Sequence, residues 1–185
     1  MQRELVVRAQ GGDHEAFTAL VAVGLPGWYG VARLILRQDD LAEDAVQDAL
    51  VKAWVAIRGL RDPDRFDAWI RRLLIHACYR AARLQSGRRQ VEVRELPADA
   101  VRAPDTQRSL ATRDLLERGF RRLSTDQRAV LVAHYYLDLS DASAAEALDI
   151  PLGTLKSRLN RATAALRSAL EADDRAGAQM PERIA

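Results

Sequence analysis

Apolar residues recur every three or four positions along most of this 185-residue chain, which is the spacing of one face of an α-helix. Phe66–Ala81 and Leu155–Leu166 each carry a stripe of this kind. The alternation typical of a half-buried strand is missing, apart from a short pattern in Val91–Leu96 that is compatible with locally extended structure. The spacing therefore predicts an all-α protein.

One stretch, residues 85–105, interrupts the helical pattern with Gly, Pro and mixed charges. A loop of this length is unusual inside one compact domain, so we expect two small helical domains joined by a flexible linker. The predicted divisions are 1–84 for the first domain, 85–108 for the linker, 109–171 for the second domain and 172–185 for a fraying tail.

Capping signals divide the two domains into helices. Ser124 and Gln127 have the spacing of a capping box. The sequence GLPG, Gly24–Gly27, is expected to end one helix, which resumes at Trp28. Further N-caps are expected at Asp13, at Asp39 or Asp40, and at Ser140.

Composition excludes several classes of protein. Hydrophobic residues make up 48% and charged residues 29%, which is typical of a soluble globular chain rather than a disordered one. The single cysteine, Cys78, excludes an intramolecular disulfide and a four-cysteine zinc site. The N-terminus lacks the apolar core of a signal peptide, and no uninterrupted apolar run approaches the roughly 20 residues of a membrane span. We therefore expect a cytoplasmic protein without membrane insertion.

The stretch IPLGTLKSRLNRATAALR, Ile150–Arg167, predicts a helix with an apolar stripe on one side and only basic and polar residues elsewhere. A short helix, Asp141–Leu148, and a turn precede it, which together give a helix-turn-helix outline. The second helix of such a unit enters the major groove of DNA. An ordinary solvated amphipathic helix is the alternative. The short helix and turn favour DNA binding, as does the absence of acids between Pro151 and Leu170.

The predicted helix Arg65–Leu84 carries a second basic face beside its apolar stripe. Cations interleaved with an aromatic ring suit a strand whose bases are unstacked, because guanidinium groups hold phosphates and rings stack on bases. The alternative is a solvated face with a half-buried tyrosine. The residues of this face are Arg72, His76, Tyr79, Arg80 and Arg83.

The preceding helix is acidic, with five carboxylates and one lysine in DDLAEDAVQDALVKAW. An acidic helix is a poor DNA contact but a good partner for a basic protein surface. Compensation of the helix dipole would explain Asp40 and Glu43 but not Asp48, which lies beyond the first turn. One acidic and two basic faces indicate an adaptor between a protein and DNA.

Three segments carry a resemblance to bacterial RNA polymerase sigma factors of the extracytoplasmic-function (ECF) group. AEDAVQDALVKAW resembles the region 2 helix that docks on the β′ clamp helices, and RFDAWIRRLLIHACYRAAR resembles the segment that reads and opens the minus-ten element. LSTDQRAVLVAHYYLDLSDASAAEALDIPLGTLKSRLNRATAALR is similar to region 4, which binds the minus-thirty-five element. The resemblance covers roughly residues 13–84 and 115–170.

The resemblance implies roles for particular residues. Those implied in polymerase docking are Asp44, Gln47 and Asp48. Those implied in minus-ten binding are the basic face Arg72, His76, Tyr79, Arg80 and Arg83, together with the loop Gly59–Asp64. Those implied in minus-thirty-five binding are Thr154, Lys156, Ser157, Arg158 and Arg161. The implied partners are core RNA polymerase, through the β′ clamp helices and the β flap, and promoter DNA. Anti-sigma proteins commonly hold members of this group, although no residue identifies one here.

Three positions depart from the family pattern. His76 stands where many members have asparagine, Arg80 stands near a usual acid, and Asp149 replaces the glycine of the helix-turn-helix turn. The first two bear on minus-ten specificity. If position 149 is left-handed, aspartate tolerates it better than most residues.

Three other functions are alternatives to that of a sigma factor, which would give RNA polymerase its promoter specificity. A stand-alone helix-turn-helix regulator would need a dimer interface or an effector pocket, and the acidic helix and basic-aromatic face fit those roles poorly. A protein adaptor without DNA binding would associate with polymerase but give no promoter output. An enzyme is disfavoured because the sequence has no zinc-binding histidine pair and no glycine-rich phosphate loop. No cofactor or metal is expected.

Overall fold

A computed structural model describes residues 1–89 and 115–178 of the chain. Within these two ranges the regular structure is entirely helical, so the all-α prediction is confirmed. The α-helices are α1 Gln2–Gln10, α2 His14–Leu36, α3 Asp39–Ala56, α4 Phe66–Arg89, α5 at residues 115–121, α6 Thr125–Leu131, α7 Asp141–Ala147 and α8 Leu152–Ala178. Short 3₁₀ turns span Ile57–Gly59 and Pro63–Arg65, and a π turn spans Val132–Tyr136.

Helices α1–α4 form an N-terminal module (residues 1–89) around a core built largely from alanine and branched aliphatic side chains. Helix α2 packs against α1, α3 and α4, and α3 packs along α4. The α4 stripe predicted from sequence is confirmed for Phe66, Ile70, Leu74 and Cys78, which are buried. Helix α1, whose buried residues are Val6 and Ala9, was not predicted.

Helix α2 is continuous, so the break expected at Gly24–Gly27 is wrong. Pro26 lacks the N–H that would bond the carbonyl of Ala22, but Ala22 is exposed and water can satisfy that carbonyl. Trp28 is buried and lies over Gly24, so packing holds the helix together across the proline. Among the described residues, α2 alone is long and apolar enough to cross a membrane by length and composition.

The capping predictions are confirmed at three helices and wrong at one. The Asp13 carboxylate accepts a 3.0 Å bond from the Ala16 amide, and Ser140 Oγ accepts one from Ser143. Ser124 and Gln127 form the reciprocal capping box. Helix α3 instead has Gln38 at its N-cap without a side-chain bond, because Asp39 and Asp40 already lie in its first turn.

Helices α5–α8 form a C-terminal module (residues 115–178), in which α8 packs against α6 and α7. Leu155 and Ala162 are fully buried, which confirms the stripe predicted for the stretch Ile150–Arg167. The expected loss of helix after Leu170 is wrong, because α8 continues to Ala178 through residues that include several alanines. Similarly, α4 runs beyond Leu84 to Arg89. The expectations for residues 90–114 and 179–185, including the short pattern in 91–96, lie outside the described ranges.

The two modules pack against each other, with α6 on α2 and α4, and α7 on α4. Arg128 of α6 is buried at this junction. Its Nε donates a 2.8 Å bond to the carbonyl of Ile35 near the C-terminus of α2, while Nη1 and Nη2 donate to Leu123 O and Thr125 Oγ1. Burial lowers the pKa of the Arg128 guanidinium to about 10, which still leaves it charged at neutral pH.

Candidate polymerase and nucleic-acid interfaces

The turn between α7 and α8 sets the direction of α8. Asp149 adopts a left-handed conformation with φ of 51°, the condition under which aspartate was expected to replace glycine at modest cost. The Leu155 amide then bonds the carbonyl of Pro151 and starts the helix. Because Leu155 and Ala162 point into the module, the opposite side of α8 faces solvent.

The α8 outer face consists of Lys156, Ser157, Asn160 and Arg161, all exposed. Ser157 Oγ donates a 3.0 Å bond to the carbonyl of Thr154. Arg161 Nε donates to the carbonyl of Ser157 at 3.2 Å, which holds the guanidinium along the helix. This face therefore presents two cations, a hydroxyl and an amide to solvent, and such groups suit phosphates and base edges.

Two of the residues predicted for this face lie elsewhere. Thr154 is half-buried, and Arg158 is turned towards the N-terminal module. Arg158 Nη1 donates a 2.6 Å hydrogen bond to Tyr79 Oη and lies 3.2 Å from Asp126 Oδ2. The bond to Tyr79 raises the pKa of the Arg158 guanidinium. Asn160, which was not predicted as a site residue, occupies the middle of the outer face.

The α4 basic face, Arg72, His76, Tyr79, Arg80 and Arg83, is only partly open. Arg80 and Arg83 are exposed, and the Arg83 guanidinium carbon lies 5.9 Å from the centroid of the Tyr79 ring. Tyr79 is only 6% exposed. Arg72 and His76 are half-buried, and Arg72 Nη1 lies 3.1 Å from Glu146 Oε2 of α7.

The α3 outer face consists of Asp44, Gln47, Val51 and Val55, which follow one another at helical spacing. Val51 and Val55 are 64% and 75% exposed, a pair of apolar side chains that sequence reasoning missed. The signal was present, because the buried stripe of α3 is made almost entirely of alanines and leaves these two valines outside it.

Asp48 was predicted together with Asp44 and Gln47 but has a different environment. Its Oδ2 lies 2.9 Å from Lys52 Nζ and 3.2 Å from Arg80 Nη2. The carboxylate therefore joins α3 to the α4 basic face, and Asp44 and Gln47 are the polar groups left facing outwards.

No set of side chains in residues 1–89 and 115–178 brings three His, Cys, Asp or Glu residues together as a metal site. Cys78 is fully buried, and burial raises the pKa of its thiol to about 12. A thiol protonated to this extent is a poor nucleophile at neutral pH.

Both modules of the chain are similar to known proteins. Residues 20–88 match the family model Sigma-70 region 2, and residues 113–166 match Sigma-70, region 4. The RNA polymerase sigma-E factor of Streptomyces antibioticus is 35% identical over 136 residues, which is 72% of each chain. The ECF RNA polymerase sigma factor SigM of Mycobacterium tuberculosis is 29% identical, over 88% of this chain and 81% of that protein.

Among solved structures, the sigma factor RpoE from Bartonella quintana, crystallised with the anti-sigma factor NepR, is similar with a TM-score of 0.65. The two sequences are 27% identical, and the match covers 85% of this chain and 98% of RpoE. The two family matches together span more than half of the residues, one in each module. The chain therefore belongs to the ECF sigma factors, the subunits that direct RNA polymerase to particular promoters.

Proposed function

We propose that the α8 outer face, the α4 basic face and the α3 outer face each make one of the contacts needed for promoter-specific initiation. The observation that carries the proposal is the separation of charge by face: the α8 outer face has no acidic residue, while the α3 outer face has no basic one. The two surfaces therefore suit partners of opposite character, a DNA duplex and a protein.

In this proposal α8 reads the minus-thirty-five duplex. Lys156 and Arg161 hold phosphates or guanine edges, and Ser157 and Asn160 supply neutral hydrogen-bonding groups. Thr154 supports the start of the helix through its carbonyl, which accepts the bond from Ser157. Arg158 can join this surface only after it leaves both Tyr79 and Asp126.

The α4 basic face captures the unpaired minus-ten strand. Arg72, Arg80 and Arg83 bind its phosphates. The ring of Tyr79, which is 6% exposed and whose hydroxyl accepts a bond from Arg158, can stack on a base only after that contact opens. His76 lies between the arginines and contacts the strand from the same face.

The α3 outer face docks on core polymerase at the β′ clamp helices, while the C-terminal module meets the β flap. Asp44 and Gln47 supply the polar contacts, and Val51 and Val55 supply apolar area of the kind found at the centre of protein interfaces. Asp48 contributes from behind this face by fixing Lys52 and Arg80.

The protein acts in the cytoplasm and works by positioning and strand capture rather than by covalent chemistry. An anti-sigma protein is the partner expected to restrain it, since the similar RpoE was crystallised with one.

The test is run-off transcription from a pool of randomised promoters, with core polymerase alone and with core polymerase plus this protein. Transcripts from a sequence-defined subset only when the protein is present are the expected result, and the subset reveals both promoter elements. A matched pair of variants, Lys156→Ala and Arg83→Ala, should weaken binding at the minus-thirty-five and minus-ten elements respectively and so lower the yield of these transcripts.

Core binding without any stimulated transcript would contradict the proposal and favour an adaptor role. A sequence-specific duplex footprint made by the protein without polymerase would favour a stand-alone regulator instead.

A further inference from the structure

We propose that helix α1 holds the loop at residues 59–64 in one conformation, and that Gln10 is the positioning residue through which it does so. This loop lies between α3 and α4 and is the segment that the family resemblance assigns, with the α4 basic face, to minus-ten binding. The inference rests on the proposed function for its consequence at the promoter, but the hold on the loop is argued from contacts within the N-terminal module.

The 59–64 loop has little regular structure of its own. It is flanked by two short 3₁₀ turns, Ile57–Gly59 and Pro63–Arg65, and most of its residues are exposed. Gly59 adds backbone freedom, because a residue without a Cβ has more conformations open to it. Contacts from outside the loop are therefore needed to hold it in one conformation.

The side-chain amide of Gln10 supplies such contacts. Gln10 is the last residue of α1, and its Nε2 donates to the carbonyl of Ile57 at 3.1 Å and to the carbonyl of Leu60 at 2.7 Å. The Leu60 amide in turn donates to the carbonyl of Ile57 at 3.1 Å. One side chain therefore ties together both ends of the turn that begins the loop. Both of its bonds are partly buried, where a hydrogen bond is stronger than in water.

Helix α1 is fixed to the rest of the module, so it can serve as a support. Val6 and Ala9 are buried, and α1 packs along α2. Arg8 Nη2 lies 2.7 Å from Oδ2 of Asp13, the N-cap residue of α2. The position of Gln10 is therefore set by α2 rather than by the loop that it contacts.

A second contact from α1 affects the charge of the loop. Arg3 Nη1 lies 2.6 Å from Asp64 Oδ2. The other acid of the loop, Asp62, accepts a bond from the Asp64 amide and lies 3.5 Å from Arg65 Nε. Both carboxylates are thus paired with a cation, which reduces their repulsion of a phosphate backbone, while Arg61 is exposed. The pair of Arg3 and Asp64 lies at the surface, so it is the weaker of the two contacts from α1.

An ordered loop favours capture of an unpaired strand. A segment that is ordered before binding loses less conformational entropy when it binds, and its affinity is higher for that reason. Arg65 precedes Arg72 by seven positions, about two helical turns, so the loop leads directly onto the α4 basic face. A strand held along that face is expected to continue onto the 59–64 loop.

The first measurement is hydrogen exchange of the Leu60 amide in the full-length free chain, followed by NMR. Gln10→Met keeps the length and the helix propensity of the side chain but removes both donated bonds. Each bond is worth a factor of about two to thirteen, so exchange at Leu60 should accelerate by at least about fivefold. Gln2→Met is the matched control in the same helix. The Gln2 amide donates at 2.8 Å to Asp67 of α4, outside the loop, so exchange at Leu60 should stay nearly unchanged.

The second measurement uses core polymerase loaded with each variant. The probe is a labelled single-stranded oligonucleotide that carries the minus-ten element recovered by selection from randomised promoters. Gln10→Met should bind it roughly threefold more weakly or worse, because a loop that holds the binding conformation for part of the time has a lower apparent affinity. Its affinities for core polymerase and for a minus-thirty-five duplex should be unchanged. Gln2→Met should match the unmodified chain in all three.

Three results would overturn the proposal. An unchanged exchange rate at Leu60 in Gln10→Met would mean that the two bonds do not hold the loop. A loosened loop that binds the oligonucleotide as tightly as before would refute the positioning role. Equal losses of affinity for the oligonucleotide, the duplex and core polymerase would show that Gln10 supports only the stability of the module.

The exchange measurement uses neither DNA nor polymerase, so the inference and the proposed function can fail separately. If the unmodified chain yields no promoter-specific transcript, the proposed function is refuted, while faster exchange in Gln10→Met still shows that Gln10 holds the loop. If the unmodified chain yields such transcripts and Gln10→Met binds the oligonucleotide normally, the positioning role alone is refuted.

Discussion

Three glycines of helix α2 offer the same substitution in two different environments. A Cβ at Gly24 would lie 2.2 Å from Cζ2 of Trp28 and 2.5 Å from two further ring atoms, whereas a Cβ at Gly27 or Gly30 would meet nothing within 4 Å. To restore an ordinary contact of at least 3.4 Å, the indole would have to move by more than 1 Å. It has little room, because Trp28 is only 8% exposed and is packed in the core of the module.

Replacing glycine by alanine inside a helix stabilises it by about 0.8–1 kcal/mol. Gly27→Ala and Gly30→Ala should therefore raise the free energy of unfolding by about that amount each. Gly24→Ala gains the same helix stabilisation, but overpacking against Trp28 adds a cost of about 1–3 kcal/mol. The helix stabilisation is the same in both variants, so the free energy of unfolding of Gly24→Ala should be lower than that of Gly30→Ala by about 1–3 kcal/mol.

The measurement is urea unfolding followed by tryptophan fluorescence. All three tryptophans, Trp28, Trp54 and Trp69, lie in the N-terminal module, so the signal reports the module that holds the substitutions. Equal stabilisation at Gly24 and Gly30 would refute the packing of Trp28 over Gly24, and with it the reason given for the continuity of α2 across Pro26.

Three further predictions concern the faces and the core. Asp44→Asn should weaken the binding of core polymerase. Asp48→Asn should change the affinity for core by less than about fivefold and act mainly on open-complex formation, because it releases Arg80. Titration of labelled core measures the first effect and permanganate footprinting the second, and equal losses of core affinity in the two variants would contradict the distinction. Arg161→Ala in the polymerase complex should reduce the slope of log affinity against log salt concentration for promoter binding by the amount of one phosphate contact. A fourfold rise in salt should then cost the variant about 3.5-fold less affinity than the unmodified chain. An unchanged slope would mean that Arg161 contacts no phosphate. The Cys78 thiol, whose pKa burial raises to about 12, should resist a thiol-specific reagent at pH 8 until the chain is unfolded by urea; fast labelling of the native chain would show that the core opens locally.

Local signals in the sequence predicted most of the helices and failed where packing decides the outcome. The capping residues Asp13, Ser124 and Ser140 act within three positions of themselves, so their roles can be read directly from sequence. The break expected at Pro26 failed because a contact between Trp28 and Gly24 outweighs the lost backbone bond.

In the candidate site, too, some features follow from local sequence and others depend on tertiary packing. The residue types and helical faces of α3, α4 and α8 follow from spacing alone, and the exposed cations Lys156 and Arg161 lie where the spacing predicts. The bonds of Tyr79 to Arg158 and of Asp48 to Arg80 do not follow from spacing, because each joins helices whose relative placement is set by tertiary packing. Sequence predicts which groups are available, and the fold decides which of them are already engaged.

Site-specific photo-crosslinking in the open complex tests most directly the claim that two faces of this chain contact two promoter elements. A benzophenone side chain is placed at position 160, in the middle of the α8 outer face, or at position 76 on α4, and the crosslinked nucleotides are mapped by primer extension. A division of the promoter contacts between these two faces predicts crosslinks to the minus-thirty-five duplex from Asn160→p-benzoylphenylalanine and to the unpaired minus-ten strand from His76→p-benzoylphenylalanine. Crosslinks from both positions to one element, or from position 160 to polymerase alone, would contradict it.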